Sequence, residues 1–193
     1  MLSILRRRRL RKQKAAPAAR AGAKIRLHLG SGGDYWPGYV NVDADPSATC
    51  DLRIDFTRIE EVYPPGSVSE VAMIHSLSYL SLWQARDLFV ALHRLFEPGG
   101  RLIVEFPDLA KCARAVLDHE YDFTAYLEAV RAIYAFDLSQ IERRQPYTPY
   151  AFGWSASHLI AELQQAGFRE VALLDPQTHG PRPWRDARVE AIK

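Results

Sequence analysis

Residues 25–43 read I-R-L-H-L-G-S-G-G-D-Y-W-P-G-Y-V-N-V-D, and no other stretch limits the fold as tightly. Ile25, Leu27 and Leu29 alternate with Arg26 and His28, the period-two pattern of a strand. The run breaks at Gly30-Ser31-Gly32-Gly33. Residues without a Cβ turn sharply there and leave the backbone open to a ligand. A second apolar run, 39–42, then ends in Asp43. A carboxylate at the tip of the neighbouring strand is placed to accept hydrogen bonds from the two hydroxyls of a ribose. A glycine cluster alone is as often a plain turn; together with the acid it points to a nucleoside-containing ligand.

Spacing decides which kind. In a dinucleotide-binding fold the acid lies about 20 residues beyond the glycines, across a helix whose N-terminus holds the pyrophosphate. Here Gly33 and Asp43 are ten residues apart, with Pro37 and Gly38 between them, so no helix of ordinary length fits and a pyrophosphate seat is not expected.

L-H-L-G-S-G-G followed by G-Y-V-N-V-D resembles the opening of a group of short class I S-adenosylmethionine-dependent methyltransferases whose first helix is cut down to a loop. The resemblance continues at S-E-V-A-M-I-H-S-L-S-Y-L (69–80), where Glu70, His75, Leu77 and Leu80 match, but Ser78 and Tyr79 replace the group's Glu-His pair. It is most specific at P-G-G-R-L-I-V-E-F-P-D-L (98–109), and it closes with H-L-I-A-E-L-Q-Q-A-G-F-R-E-V and R-D-A-R-V-E-A-I-K. It implies one Rossmann-like α/β domain over 25–193, with a seven-stranded, mostly parallel sheet, helices on both faces and an antiparallel last strand. It also implies S-adenosyl-L-methionine as cofactor, flanked by Gly30, Ser31, Gly32 and His75 and held at its ribose by Asp43, and association with surface-polysaccharide biosynthesis.

The residues themselves place the other elements. A third strand is expected at 51–56, with Asp55 near an adenine or simply a surface acid, and a buried strand at 71–74 carries His75 at its carboxyl end, where ligands bind in open α/β sheets. Helices are expected at 82–96, 109–117, 126–136 and 155–166, and strands at 101–106, 168–174 and 186–192. Residues 137–153 read as an aromatic, lid-like loop that suits a sugar or another flat polar acceptor, or equally closes the domain by packing. Methyl transfer to a hydroxyl gains from a base. The candidates are His75 and Asp108, the latter also a natural N-cap for the following helix. Tyr79, Tyr134, Trp154 and His158 are candidate substrate contacts. The six histidines show no metal-binding spacing, so no metal is expected.

Two separated cysteines, Cys50 and Cys112, give no disulfide framework and suit a reducing, cytoplasmic compartment. The net charge of +2 hides a division. Ten of the 25 basic residues and none of the 23 acids lie in 1–26, which leaves the remainder at −8. The tail, 1–24, reads as a solvated disordered extension. Alternatively, through the arginines and apolar residues of 1–14, it rests on anionic lipid at the inner membrane face. Nucleic acid is not favoured, because the acidic body supplies no second basic patch. Equal partition of the full chain and a 24-onward truncation onto anionic vesicles would end the lipid reading. The expected activity is methyl transfer to a small-molecule or glycan-linked acceptor. The alternatives are a catalytically silent methyltransferase-like binding module, motivated by Ser78-Tyr79, and a nicotinamide-dependent oxidoreductase, against which the short spacing argues.

Overall fold

The computed structural model describes residues 24–136, 148–180 and 182–193, so the basic tail and most of the aromatic loop lie outside the described residues. Seven strands, β1 (Ile25–Leu29), β2 (Val40–Asp43), β3 (Leu52–Arg53), β4 (Val68–Ile74), β5 (Phe96–Pro107), β6 (Arg169–Leu174) and β7 (Asp186–Ile192), form one sheet in the order β3-β2-β1-β4-β5-β7-β6. All pairings are parallel except those of β7, which runs antiparallel to both β5 and β6. Four α-helices are described: α1 (Leu82–Leu95), α2 (Leu109–Asp118), α3 (Phe123–Tyr134) and α4 (Ala156–Gln165). None of them is long and apolar enough to cross a membrane.

The pleat divides the sheet into two unlike faces. On one, Leu27, Leu29, Val42, Val71, Met73, Leu102, Val104, Ala187 and Val189 are buried with Leu88, Leu92, Leu159 and Leu163 from α1 and α4, which makes one continuous apolar core. Both helices have the start signals their sequence carries. Ser81 and Gln84 form a capping box on α1, and Ser155 accepts from the His158 amide at 3.4 Å on α4.

The register puts Asn41, His28, Ala72, Ile103 and Glu190 side by side on the opposite face. Charge is tolerated on this face because it is paired. Arg101 bonds Glu190 at 2.6 Å, Arg188 bonds Glu190 at 2.7 Å and Glu105 at 3.2 Å, and the Tyr39 hydroxyl donates to Glu70. Residues 30–39 contain no helix, as the spacing predicts. They are seated instead by Asn41, whose Oδ1 accepts from the Trp36 amide at 2.8 Å and whose Nδ2 donates to the Trp36 carbonyl at 3.1 Å, and the Trp36 ring lies 4.5 Å from that of His28.

Several boundaries depart from the sequence reading, β4 for one beginning at Val68, ahead of 71. The strand expected at 51–56 is only Leu52–Arg53, because Asp55 accepts from the Thr57 amide at 3.0 Å and hydroxyl at 2.7 Å and starts a 3-10 turn, Phe56–Glu61. α3 starts at Phe123, ahead of 126, because Asp122 caps it through the Thr124 and Ala125 amides. β5 takes in 96–100, ahead of the strand expected from 101, because Phe96 already pairs with Val68.

Candidate active site

The carboxyl ends of β1, β2 and β4 meet at one edge, where two cavities lie back to back. The first, of about 540 Å³, is lined among others by Gly30, Gly32, Asp43, Asp55, Phe56, Ser76 and Tyr79. The second, of about 610 Å³, is lined by His28, Ser31, Gly33, Asp34, Ile74, His75, His179, Arg182 and Arg185. Two stretches, 30–32 and 75–76, divide their residues between the two cavities and so form a common wall. In one, Gly30 and Gly32 face the first cavity and Ser31 the second; in the other, Ser76 faces the first and His75 the second.

Each part of that wall is locally determined. Gly30 holds φ +71°, and a Cβ there would stand 2.4 Å from Ser76 Cβ, so only glycine lets β1 and β4 close. The Ser76 hydroxyl seals the junction by donating to the Leu29 carbonyl at 2.7 Å. Asp43 fixes the loop. Its Oδ2 accepts from the Gly32 amide at 2.7 Å and its Oδ1 from the Asp45 amide at 2.8 Å. Each carboxylate oxygen keeps a second lone pair for an outside donor. His75 is one of four non-glycine residues with positive φ among those described, at +54°, with its amide donating to the Glu105 carbonyl at 2.7 Å. Its ring lies 5.6 Å from that of His179, which is held at +56°. Strained conformations of this kind persist where the surrounding structure over-determines them, typically at functional sites.

His75 Nε2 has no hydrogen-bond partner and lies 3.7 Å from Asp186 Oδ1. Burial lowers the His75 pKa, opposed by the Asp186 charge, so the imidazole is neutral with a lone pair to offer at neutral pH. Burial lowers the His28 pKa too, against the hydrogen bond that its Nδ1 makes to the Asn41 side-chain oxygen. Burial pushes the Cys112 thiol up to about 12, so it is not a nucleophile. Among the described residues, no group of three or more His, Cys, Asp or Glu side chains is arranged to hold a metal ion.

Of the residues singled out in the sequence, Gly30, Gly32, Asp43, Asp55 and Tyr79 converge on the first cavity, and Ser31 and His75 on the second. Four others do not join them. Asp108 is 4% exposed and fully engaged. Its Oδ1 accepts from the Ala110 and Lys111 amides and its Oδ2 from Ala156 N at 2.8 Å, so it caps α2, ties α4 to it and leaves the catalytic set. Trp154 is wholly buried in the core between Phe89 and Phe152 and lines neither cavity. Tyr134 and His158 are exposed and line neither cavity.

Sequence reasoning missed His179, Arg182 and Arg185. All sit in the connection between β6 and β7, which at 175–185 is much longer than an antiparallel pair needs; that excess length was the available signal. The connection is pinned by Glu105, buried on the polar face, which accepts from the Gln177 amide at 3.0 Å and the Thr178 amide at 2.9 Å. Lys111 Nζ holds its far end through the carbonyls of Pro183 at 2.9 Å and Asp186 at 2.7 Å.

No protein-family model matches the sequence, and no curated protein matches it significantly. Solved structures do match the fold. An S-adenosylmethionine-dependent methyltransferase of Archaeoglobus fulgidus superposes with a TM-score of 0.60 at 13% identity, over 89% of this chain and 87% of that one. One from Methanosarcina mazei also gives 0.60 at 13% identity, over 88% and 92%. A putative S-adenosylmethionine-dependent methyltransferase of Listeria monocytogenes gives 0.59 at 14% identity, over 89% and 90%. At these identities the likeness shows the fold, which is that of the class I methyltransferases.

Proposed function

We propose that this chain, with its class I methyltransferase fold, binds S-adenosylmethionine in the first cavity and transfers the methyl group to a small-molecule or glycan-linked acceptor in the second. The shared wall carries the reading, because consecutive residues serve opposite sides of it: Gly30 and Gly32 against Ser31, and Ser76 against His75. The two sites thus adjoin, and the transfer requires the methyl carbon and the acceptor atom to meet in direct in-line contact past the edge of that wall.

The residues present fit the cofactor. The first cavity is large enough for an adenosyl ligand, the two glycines leave the backbone bare, and the free lone pairs of Asp43 suit a ribose. Ser76 and the Gly30–Gly32 backbone would border its methionine part, and Asp55 and Phe56 its adenine. When bound, it supplies an electrophilic methyl group whose bond to sulfur breaks with the electron pair staying on sulfur. His75, neutral and lining the second cavity, takes the proton of the acceptor hydroxyl as its oxygen gains the new bond, through the ring nitrogen on the cavity side, since Nε2 is buried against Asp186. Asp186, 3.7 Å away, stabilises the imidazolium that results. Tyr79, edge-on to Tyr150 at 4.9 Å, would flank the cofactor in the first cavity.

Calorimetric titration with S-adenosylmethionine, S-adenosylhomocysteine and NAD tests the reading. The adenosyl ligands should bind at micromolar strength and weaken at least about tenfold in Asp43→Ala, which loses charge-assisted hydrogen bonds. NAD should not bind, since residues 30–39 contain no helix whose N-terminus could seat its pyrophosphate. No adenosyl binding in a folded sample would sink the methyltransferase reading. With a working acceptor, His75→Ala should cut kcat by about 10²- to 10⁴-fold. Because burial lowers the His75 pKa, the acid limb of the wild-type profile should fall below the ordinary value of 6.5. An unchanged limb in the variant would remove His75 from the role of base. Cofactor binding without turnover on any acceptor would favour a silent binding module.

A further inference from the structure

We infer that the second cavity is an anion site, and that the acceptor it takes carries a carboxylate or phosphate group engaged by Arg182, with Ser31 and His179 beside it. The identification of the ligand as the methyl acceptor rests on the proposed function; the anion site itself does not.

Two of the charged side chains in the cavity already have partners. Its one acidic lining residue, Asp34, is taken: Oδ2 accepts from Trp36 Nε1 at 2.7 Å and lies 3.2 Å from His179 Nε2. Arg185 is also taken, its Nε and Nη2 each 2.7 Å from the two oxygens of Asp186, a carboxylate only 1% exposed. Arg182 has no such partner. No acid among the described residues pairs with it, and it lines the cavity together with three histidines. Beyond residue 26 the formal charge is −8, and an unpaired arginine in a hollow of this size runs against that prevailing sign.

A second observation is independent of charge. The Ser31 hydroxyl, on a residue 3% exposed that lines this cavity, has no hydrogen-bond partner, and neither does His75 Nε2. Buried polar groups are almost always satisfied, so an orphaned pair on the wall of a cavity marks where a polar ligand completes the set. A hydroxyl donor and a guanidinium fork suit the oxygens of a carboxylate or phosphate better than any neutral sugar hydroxyl.

The connection is also held on both sides of these groups. Glu105 holds Gln177 and Thr178, and Lys111 holds Pro183 and Asp186, so Arg182 and His179 sit between two anchored points. Preorganisation of this kind reduces the ordering cost of binding.

The test is titration of glucuronate, glucose 1-phosphate and uncharged glucose into wild-type protein, with and without saturating S-adenosylhomocysteine, and into Arg182→Gln. At least one anionic sugar should bind while glucose does not, and Arg182→Gln should weaken it about tenfold or more. Ser31→Ala should weaken it a smaller number of fold. Which of the two anions binds separates a carboxylate from a phosphate acceptor. Equal binding of glucose, or anion binding indifferent to Arg182, would overturn the inference. So would a loss of S-adenosylhomocysteine affinity in Arg182→Gln that 5′-methylthioadenosine, which lacks the amino acid part, does not share, since the cavity would then hold the cofactor's own carboxylate. Anion binding that persists in a protein with no adenosyl affinity would refute the methyltransferase reading and leave the anion site standing.

Discussion

Gly30→Ala should destabilise the protein by about 2–5 kcal/mol and remove adenosyl-ligand binding, whereas Gly32→Ala should cost only about 1–2 kcal/mol. Both residues have positive φ, +71° and +53°, so both substitutions carry the strain of an L side chain in the left-handed region. Only Gly30 adds a collision. Its new Cβ would meet Ser76 Cβ at 2.4 Å, Ser76 Oγ at 3.1 Å and Phe56 Cε1 at 3.2 Å, while one at Gly32 meets no protein atom within 4 Å. Ser76 cannot move freely, because its hydroxyl is bonded to the Leu29 carbonyl. Relief therefore comes from parting β1 and β4 at the wall that both cavities share. Urea denaturation of the two variants measures the difference. Equal losses would mean that the close approach at Gly30 is not a constraint, and the shared wall would lose its physical basis.

The second large effect belongs to Glu105, a fully buried carboxylate remote from the glycines. Glu105→Ala should cost about 3–5 kcal/mol, because it breaks the buried pair with Arg188 and strands the Gln177 and Thr178 amides. The loss should also be felt at the second cavity, since those amides begin the loop that carries His179 and Arg182. Glu105 gives a pH signature as well. Burial acts to raise its pKa, but the Gln177 and Thr178 amides and Arg188 outweigh it and hold the carboxyl below its ordinary range. A carboxylate with a lowered folded-state pKa contributes stability that is fully present above the unfolded value of about 4.3 and is lost as pH falls through the folded one. Urea midpoints at pH 7 and pH 3 should therefore fall further in wild type than in Glu105→Gln. Identical acid losses in the two proteins would show that Glu105 is not the group responsible.

Much of the framework was legible in the chain because it depends on local periodicity and on short-range capping. The alternation of Ile25, Leu27 and Leu29 gives β1, and D-A-R-V-E-A-I gives β7 with both boundaries correct. Asp108 and Ser155 mark two helix starts, and Pro37-Gly38 between the glycines and Asp43 rules out a first helix. The failures share a cause. Asp55 lay in a run that looked extended, but its side chain turns back on Thr57 and ends the strand. Trp154 belonged to an aromatic stretch that suited a ligand surface as well as a core, and only its contacts with Phe89 and Phe152 decide for the core.

The sequence by itself determined the strand and helix succession, the missing first helix, and the glycine–aspartate pair that faces the first cavity. Each of these follows from residues within a few positions of one another, or from a spacing along the chain. The tertiary structure alone decided that a second cavity exists and what lines it. His28 from β1, His75 from β4 and His179, Arg182 and Arg185 from the β6–β7 connection meet there because Glu105, 72 residues from Gln177, bonds that connection down onto the polar face. No local pattern records a contact of that range; it exists only once the sheet has paired and the two amides have found the buried carboxylate.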